Sequence, residues 1–254
     1  MLQRSRTKHR RTEAAGMAIL PRPSIYEINT WLWLRELSGR YGESITLASV
    51  PAGEWDSLAE YGFDAVWLMG VWERSPLGLE LALEVDALQK ALTRAVPDWT
   101  PADVVGSPYC IRDYIVDPAL GGPAGLAAAR QELAARGMAL ILDFVSNHVA
   151  PDHAWVTEHP DYFIRGTAGD LAAEPGDYYK TGEVIVALGR DPNFPPWPDV
   201  AQLNAFSPEL RRAAIDTLRA IAWQCDGVRC DMAMLMTGQV FGRSWGERAG
   251  PPPA

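Results

Sequence analysis

Cysteine is scarce in this chain. Its 254 residues hold three, Cys110, Cys225 and Cys230. The number is odd and no two have CxxC spacing, so neither a disulfide framework nor a zinc site is expected. A reducing cytoplasm is the expected setting. Long apolar runs are also missing. No stretch of about 18 apolar residues occurs, so no membrane span is expected. Positive charge is in deficit: 23 Lys and Arg stand against 32 Asp and Glu, for a net charge of -9. That balance argues against a nucleic-acid partner. The exception is the start, where Arg4, Arg6, Lys8, Arg10 and Arg11 face Glu13 alone. No apolar targeting segment follows, because residues 17–20 are too few. Residues 1–20 therefore read as a basic, disordered tail, with Met17 as an alternative start.

What is present describes a globular protein with a real core: 48% hydrophobic and 22% charged residues. Ten of the aromatics are Trp. Tryptophan suits stacking on flat apolar faces such as sugar rings, and it also fills cores. The length matches one complete (β/α)8 barrel, roughly 250 residues.

The element count does not. Three segments share one grammar: a helix-like run, a Gly, then a short apolar strand. They are 54–61, Gly62 and 63–68; 124–136, Gly137 and 138–145; and 209–224, Gly227 and 228–232. Gly just past a helix end takes a left-handed cap that other residues avoid. The strands are near-continuous apolar runs, as in parallel sheets buried on both faces. Ser207, Pro208 and Glu209 form a clear start for the third helix. With an earlier strand at Ile25–Asn29 the count is four strands and three helices, and a fourth helix is expected after Met232. Two connections, 72–123 and 146–207, are long, rich in Pro, Gly and Trp, and follow strand C-terminal ends. In a barrel those ends carry the chemistry. The expected fold is α/β, of (β/α)8-barrel type and incomplete, with about the first four units spanning 21–254. A loop subdomain is expected at about 149–207.

Two strand ends carry candidate chemistry. The first is Asp143-Phe144-Val145-Ser146-Asn147-His148, which brings an acid, an amide and an imidazole to one barrel mouth. The same residues also make a serviceable turn. The second is Gly227-Val228-Arg229-Cys230-Asp231-Met232. Arg229 and Asp231 lie two apart, so on a strand they point the same way. A guanidinium beside a carboxylate favours the charged form that a nucleophile needs. A structural ion pair is the plainer reading. Both charges interrupt a buried strand, however, where an unpaired charge is costly.

These residues resemble the alpha-amylase family, glycoside hydrolase family 13. Asp143–His148 is similar to its strand-three motif Asp-x-x-x-Asn-His, and Gly227–Ala233 to its strand-four motif. Trp197-Pro-Asp-Val-Ala-Gln-Leu-Asn204 is similar to its extra motif ahead of the third helix. Pro108-Tyr109-Cys-Ile-Arg-Asp-Tyr114 is similar to its Gly-Tyr-x-x-x-Asp-Tyr segment, and Ile25–Asn29 to its first strand. The resemblance implies cleavage or transfer of alpha-glucosidic bonds with retained configuration. Asp231 is then the nucleophile and Arg229 the residue that holds and ionises it. His148 hydrogen-bonds the sugar beside the scissile bond, Tyr109 stacks under it, and Asp143 supports the network. Asn147 matches a residue that ligates calcium in many members and is structural in others; no other cofactor is implied. The implied partner is an alpha-glucan or alpha-glucoside. The sequence sets no oligomeric state.

Three features depart from the family pattern. Pro108 stands where Gly is usual. Met234, Leu235 and Met236 lie near the place of a Lys-His pair found in many amylases, which leaves exo-acting enzymes, transglycosylases and isomerases open. The family's general acid/base, a Glu ending strand five, has no counterpart. Of the residues after Asp231 only Glu247 is acidic, in a turn-rich stretch without an apolar strand. The expectation is a truncated form that does not turn over alone. Two other readings stay open: a non-catalytic sugar-binding or subunit-like half-barrel, and a metal-dependent barrel hydrolase using Asp143, His148, Asp152 and His153.

Overall fold

A computed structural model describes residues 19–252. Most of the basic tail, residues 1–18, lies outside the described residues. The chain begins with β1 (Ile25–Asn29), α1 (Thr30–Tyr41), α2 (Ala52–Glu60) and β2 (Ala65–Met69). There follow β3 (Trp72–Arg74), α3 (Pro76–Leu83), α4 (Asp86–Ala95), β4 (Ile111–Val116), α5 (Gly122–Ala135) and β5 (Ala139–Val145). Next come β6 (His148–Val149), α6 (Trp155–Glu158), α7 (Ala168–Ala173), β7 (Tyr178–Thr181), β8 (Val184–Gly189) and β9 (Trp197–Gln202). The last elements are α8 (Pro208–Ala222), β10 (Gly227–Asp231) and α9 (Gly238–Trp245).

β1, β2, β5 and β10 form a parallel sheet in that order, each hydrogen-bonded to the next. Right-handed helical crossovers are the only easy way to join neighbouring parallel strands, and successive ones curl a sheet toward a barrel. Four strands with their helices make about half of a (β/α)8 barrel. All seven residues of β5 are buried, which explains why six of them are apolar, Asp143 being the exception. Leu37, Leu68, Leu126, Leu133, Leu140, Leu142 and Ile221 fill the space between sheet and helices. Each contributes roughly 1.5–3 kcal/mol by leaving water. Among the described residues no helix is long and apolar enough to cross a membrane.

The structure corrects the expected elements in four places. One helix was expected between the first two strands, and there are two. Asn29 caps α1 by accepting from the Leu32 N–H, and Gly42 ends it at φ 72°. The expected 72–123 connection contains α3, α4 and the antiparallel pair β3–β4. Gly227 is not a left-handed cap; α8 ends at Ala222, and Gly227 opens β10. A Cβ there would sit 2.5 Å from the Ile19 side chain and 3.3 Å from Ile141, so close approach is what excludes a side chain. Arg130 ties this junction instead, donating to the Trp223 and Cys225 carbonyls and to Asp226 at 2.6 Å. Finally, the stretch read as loop between β5 and α8 carries a four-stranded antiparallel sheet, ordered β6-β9-β8-β7. The segment after β10 makes a short 3-10 turn, then α9, whose Phe241 and Trp245 pack with Phe206 and Tyr178 of that region.

Candidate active site

Parallel register places Arg229 of β10 opposite Asp143 of β5. Asp231, two residues on, projects to the same side. Asp143 is fully buried. Its Oδ1 accepts from Trp67 Nε1 at 3.1 Å and its Oδ2 from the Gly70 N–H at 2.9 Å. Burial nevertheless raises its pKa to about 6, against the downward pull of Gly70, Arg229 and Trp67. The Arg229 guanidinium bonds to the Asp231 carboxylate and lies 3.8 Å from Asp143 Oδ1. Its carbon is 4.7 Å from the Trp67 ring centre and 5.3 Å from that of Tyr109. One cation thus serves two carboxylates between two aromatic faces, an arrangement that fixes its position from four sides.

Asp231 ends its strand, and Met232 behind it sits at φ 44°, the one non-glycine residue with positive φ among those described. A side chain in that region costs about 1–3 kcal/mol. The bend turns the chain out of the sheet and leaves the Asp231 carboxylate at the strand end. It opens into a cleft of about 390 Å³ that Tyr109, His148, Trp197, Asp199 and Met232 also line.

His148 belongs to β6 and is paired with Gln202 of β9. Its ring meets Trp197 edge-on, with centres 5.4 Å apart. Burial lowers its pKa to about 4, although the Tyr109 backbone carbonyl favours the protonated ring. The imidazole is therefore neutral at neutral pH. Tyr109 directs its hydroxyl at Met69 Sδ, 3.1 Å away, and burial raises its pKa to about 12. Asp199 is likewise shifted upward by burial.

Of the six residues singled out in the sequence, Tyr109, His148 and Asp231 face the cleft. Arg229 and Asp143 stand behind Asp231. Asn147 is turned into a buried network with Gln202, whose Nε2 donates to its Oδ1 at 3.1 Å. Calcium wants six to eight oxygen ligands. Among the described residues no three Asp, Glu, His or Cys side chains gather as a metal site, and the Asn147 oxygen is already engaged. The grouping of Asp143, His148, Asp152 and His153 does not form either. Asp152 accepts from Ser75 Oγ at 2.5 Å, and His153 Nδ1 accepts from the Trp155 N–H at 3.0 Å. Glu247 is exposed on a terminal turn, away from the cleft lining.

Trp67, Trp197, Asp199 and Gln202 were not singled out. The last three lie in the quoted 197–204 segment, so their signal was in hand but their side chains had no assigned direction. A second, more enclosed cavity of about 210 Å³ lies between β5 and α8, lined by Phe144, Val149, Leu203, Phe206 and Leu210 among others. It lacks a carboxylate and is not the reacting site.

A profile of the alpha-amylase catalytic domain matches residues 54–236. No curated protein matches the chain. Among solved structures it is similar to an alpha-amylase from Lactobacillus plantarum, with 24% identity, TM-score 0.56, and coverage of 87% of this chain and 43% of that one. It is similar to a maltogenic alpha-amylase from Thermotoga neapolitana, with 22% identity, TM-score 0.50, and coverage of 83% and 39%. A third is the trehalose-6-phosphate hydrolase of Bacillus licheniformis, with 17% identity, TM-score 0.52, and coverage of 82% and 34%. Identities this low carry the fold. The chain spans less than half the length of each.

Proposed function

The chain belongs to the alpha-amylase family, and from that premise we propose that it carries the nucleophile-bearing part of a retaining site for alpha-glucosidic bonds. The observation that supports this most is the Arg229–Asp231 pair at the end of β10, backed by Asp143 and open to an aromatic-lined cleft. Asp231 attacks the anomeric carbon, the glycosidic C–O bond breaks, and a covalent glycosyl-enzyme results. Arg229 holds the attacking carboxylate in line. Trp197 and Tyr109 offer faces to the sugar, and His148 contributes a neutral ring. The departing oxygen needs a proton, and retaining enzymes supply it from a second carboxyl group about 5–5.5 Å from the nucleophile. In this reading Glu247 is not that acid; the described residues supply the nucleophile of the first step, and the proton for the departing oxygen comes from outside them. Substrates are alpha-glucans or alpha-glucosides; nucleic acid and membrane play no part. No step is routed through calcium. The three free thiols fit a reducing compartment, which we propose as the setting.

With no described residue assigned as that acid, a specific test is available. Fluoride leaves without a proton, so alpha-glucosyl fluoride does not call on such a group. Incubation should yield a glycosyl ester on the peptide containing Asp231, seen by mass spectrometry and absent from Asp231→Asn. Nitrophenyl alpha-glucoside, which leaves less readily, should give no turnover. A lack of adduct at saturating fluoride, with sugar still bound, would leave a non-catalytic binding module. Nitrophenol release abolished by Asp231→Ala would overturn the incomplete site.

A further inference from the structure

Gln202 is completely buried where β9 pairs with β6, and no part of the mechanism above uses it. Its amide can be oriented from backbone groups alone. Nε2 lies 2.9 Å from the Asn147 carbonyl oxygen and 2.9 Å from the Leu203 carbonyl oxygen. Both atoms can only accept. Oε1 lies 3.3 Å from the Arg190 N–H, which can only donate. Flipping the amide would set oxygen against two carbonyls and NH2 against an N–H, so one orientation is allowed.

That orientation decides the next group. Gln202 Nε2 also lies 3.1 Å from Asn147 Oδ1, which shares one of its two N–H groups with a carbonyl, and Asn147 Nδ2 donates to Gln202 Oε1 at 3.3 Å. The two amides are paired head to tail, so Asn147 cannot flip independently. Its Nδ2 then also faces His148 Nδ1, 3.3 Å away. An NH2 group donates, so Nδ1 must accept, and the ring proton must sit on Nε2.

We propose that Gln202 is a positioning residue that sets the tautomer of His148 through Asn147, so that the imidazole presents an N–H donor, not an acceptor, on its Nε2 side. That donor can serve a substrate oxygen in the cleft, a use that rests on the function proposed above. The relay runs across the antiparallel sheet, from Gln202 of β9 through Asn147 to His148 of β6, which lines the cleft. It therefore makes the subdomain part of the site's wiring as well as its wall. Truncating Gln202 would leave two buried carbonyls without this donor and free the Asn147 amide to turn.

Long-range proton–nitrogen correlation spectra of the full chain, labelled with nitrogen-15 at histidine, read the tautomer directly. A His148→Gln spectrum identifies the ring. In sugar-free protein the Nδ1 resonance should fall at the unprotonated position and Nε2 at the protonated one. Gln202→Met should draw the two resonances together as both tautomers become populated. Asn147→Asp, which replaces the donor with an acceptor, should move a proton onto Nδ1. Protonated Nδ1 in the parent chain, or a His148 pattern unchanged by Gln202→Met in a folded variant, overturns the proposal. If Gln202→Met does not fold, the parent spectrum and Asn147→Asp still decide. Failure of alpha-glucosyl fluoride to label Asp231 would remove the proposed reaction and leave the tautomer result standing.

Discussion

Replacing Arg229 with methionine isolates its charge. Methionine keeps much of the length and the apolar contact with Trp67 and Tyr109 while removing the cation and its donors. Two carboxylates then lose their partner. The Asp143 side chain is 0% exposed and that of Asp231 7%, whereas Arg229 is 35% exposed. Breaking a buried pair by removing one member costs about 3–5 kcal/mol, and the partly solvated guanidinium places this case near the lower end, at about 3 kcal/mol. The loss should depend on pH. Even with Arg229 present, Asp143 titrates at about 6 in the folded chain against an ordinary 3.8. A folded value above the unfolded one means that the folded state holds more protons between those limits. Stability therefore falls as pH rises through the window from about 4 to about 6 and is level above it. The shift corresponds to about 3 kcal/mol, at about 1.4 kcal/mol per unit. Without Arg229 the folded value climbs further. By about pH 5 Asp143 holds its proton in both proteins, so its share of the penalty has gone and only the part acting through Asp231 remains. Urea unfolding followed by tryptophan fluorescence at pH 7.5 and pH 5 should show a penalty smaller at pH 5 by about 1 kcal/mol or more. A loss below about 1 kcal/mol at pH 7.5 would show that Arg229 is no more than a surface pair. A loss identical at the two pH values would refute the electrostatic account of Asp143.

Other outcomes follow from the same geometry. Arg130→Met removes the clamp on the Asp226 side chain, which is 3% exposed; it should cost about 3 kcal/mol in urea unfolding, and a loss under about 1 kcal/mol would mean the junction is held otherwise. Chelation with EDTA should leave the Tm unchanged, because the Asn147 oxygen is spent on Gln202; a fall reversed by added calcium would show an ion sharing that residue. Trp197→Ala removes the ring against His148 and should raise the alpha-glucosyl fluoride concentration needed for half-maximal labelling by about tenfold, the equivalent of about 1.4 kcal/mol. An unchanged half-saturation would take Trp197 out of the sugar's path.

Much of the fold was legible because local rules and tertiary outcome agree. The apolar run of β5 is what a strand buried on both faces requires. Gly62 and Gly137 stand at φ 77° after α2 and α5, where a left-handed cap demands them. Arg229 and Asp231 could be placed on one side of a strand from their two-residue spacing, whereas the register that sets Asp143 opposite Arg229 came from the structure. The antiparallel sheet between β5 and α8 could not be read that way. Its strands are short, β9 contains a Pro, and while β7 and β8 form a local hairpin, β6 is defined only by a partner distant in the chain, as when His148 pairs with Gln202. Gly227 was misread because a glycine that admits a neighbouring side chain looks, in sequence, like one that caps a helix.

The sequence by itself determined the four parallel strands, the helices α2, α5 and α8 ahead of three of them, and the side of β10 that carries charge, because those follow from periodicity, capping and burial within a dozen residues. Only the tertiary structure decided who meets whom. It set Arg229 between two rings and two carboxylates, and it turned Asn147 away from the cleft. It also joined Gln202 to His148 through an amide pair whose members lie 55 positions apart. Hydrogen-bond direction in a buried network is fixed by backbone donors and acceptors that meet only once the chain has folded, and no local pattern encodes them.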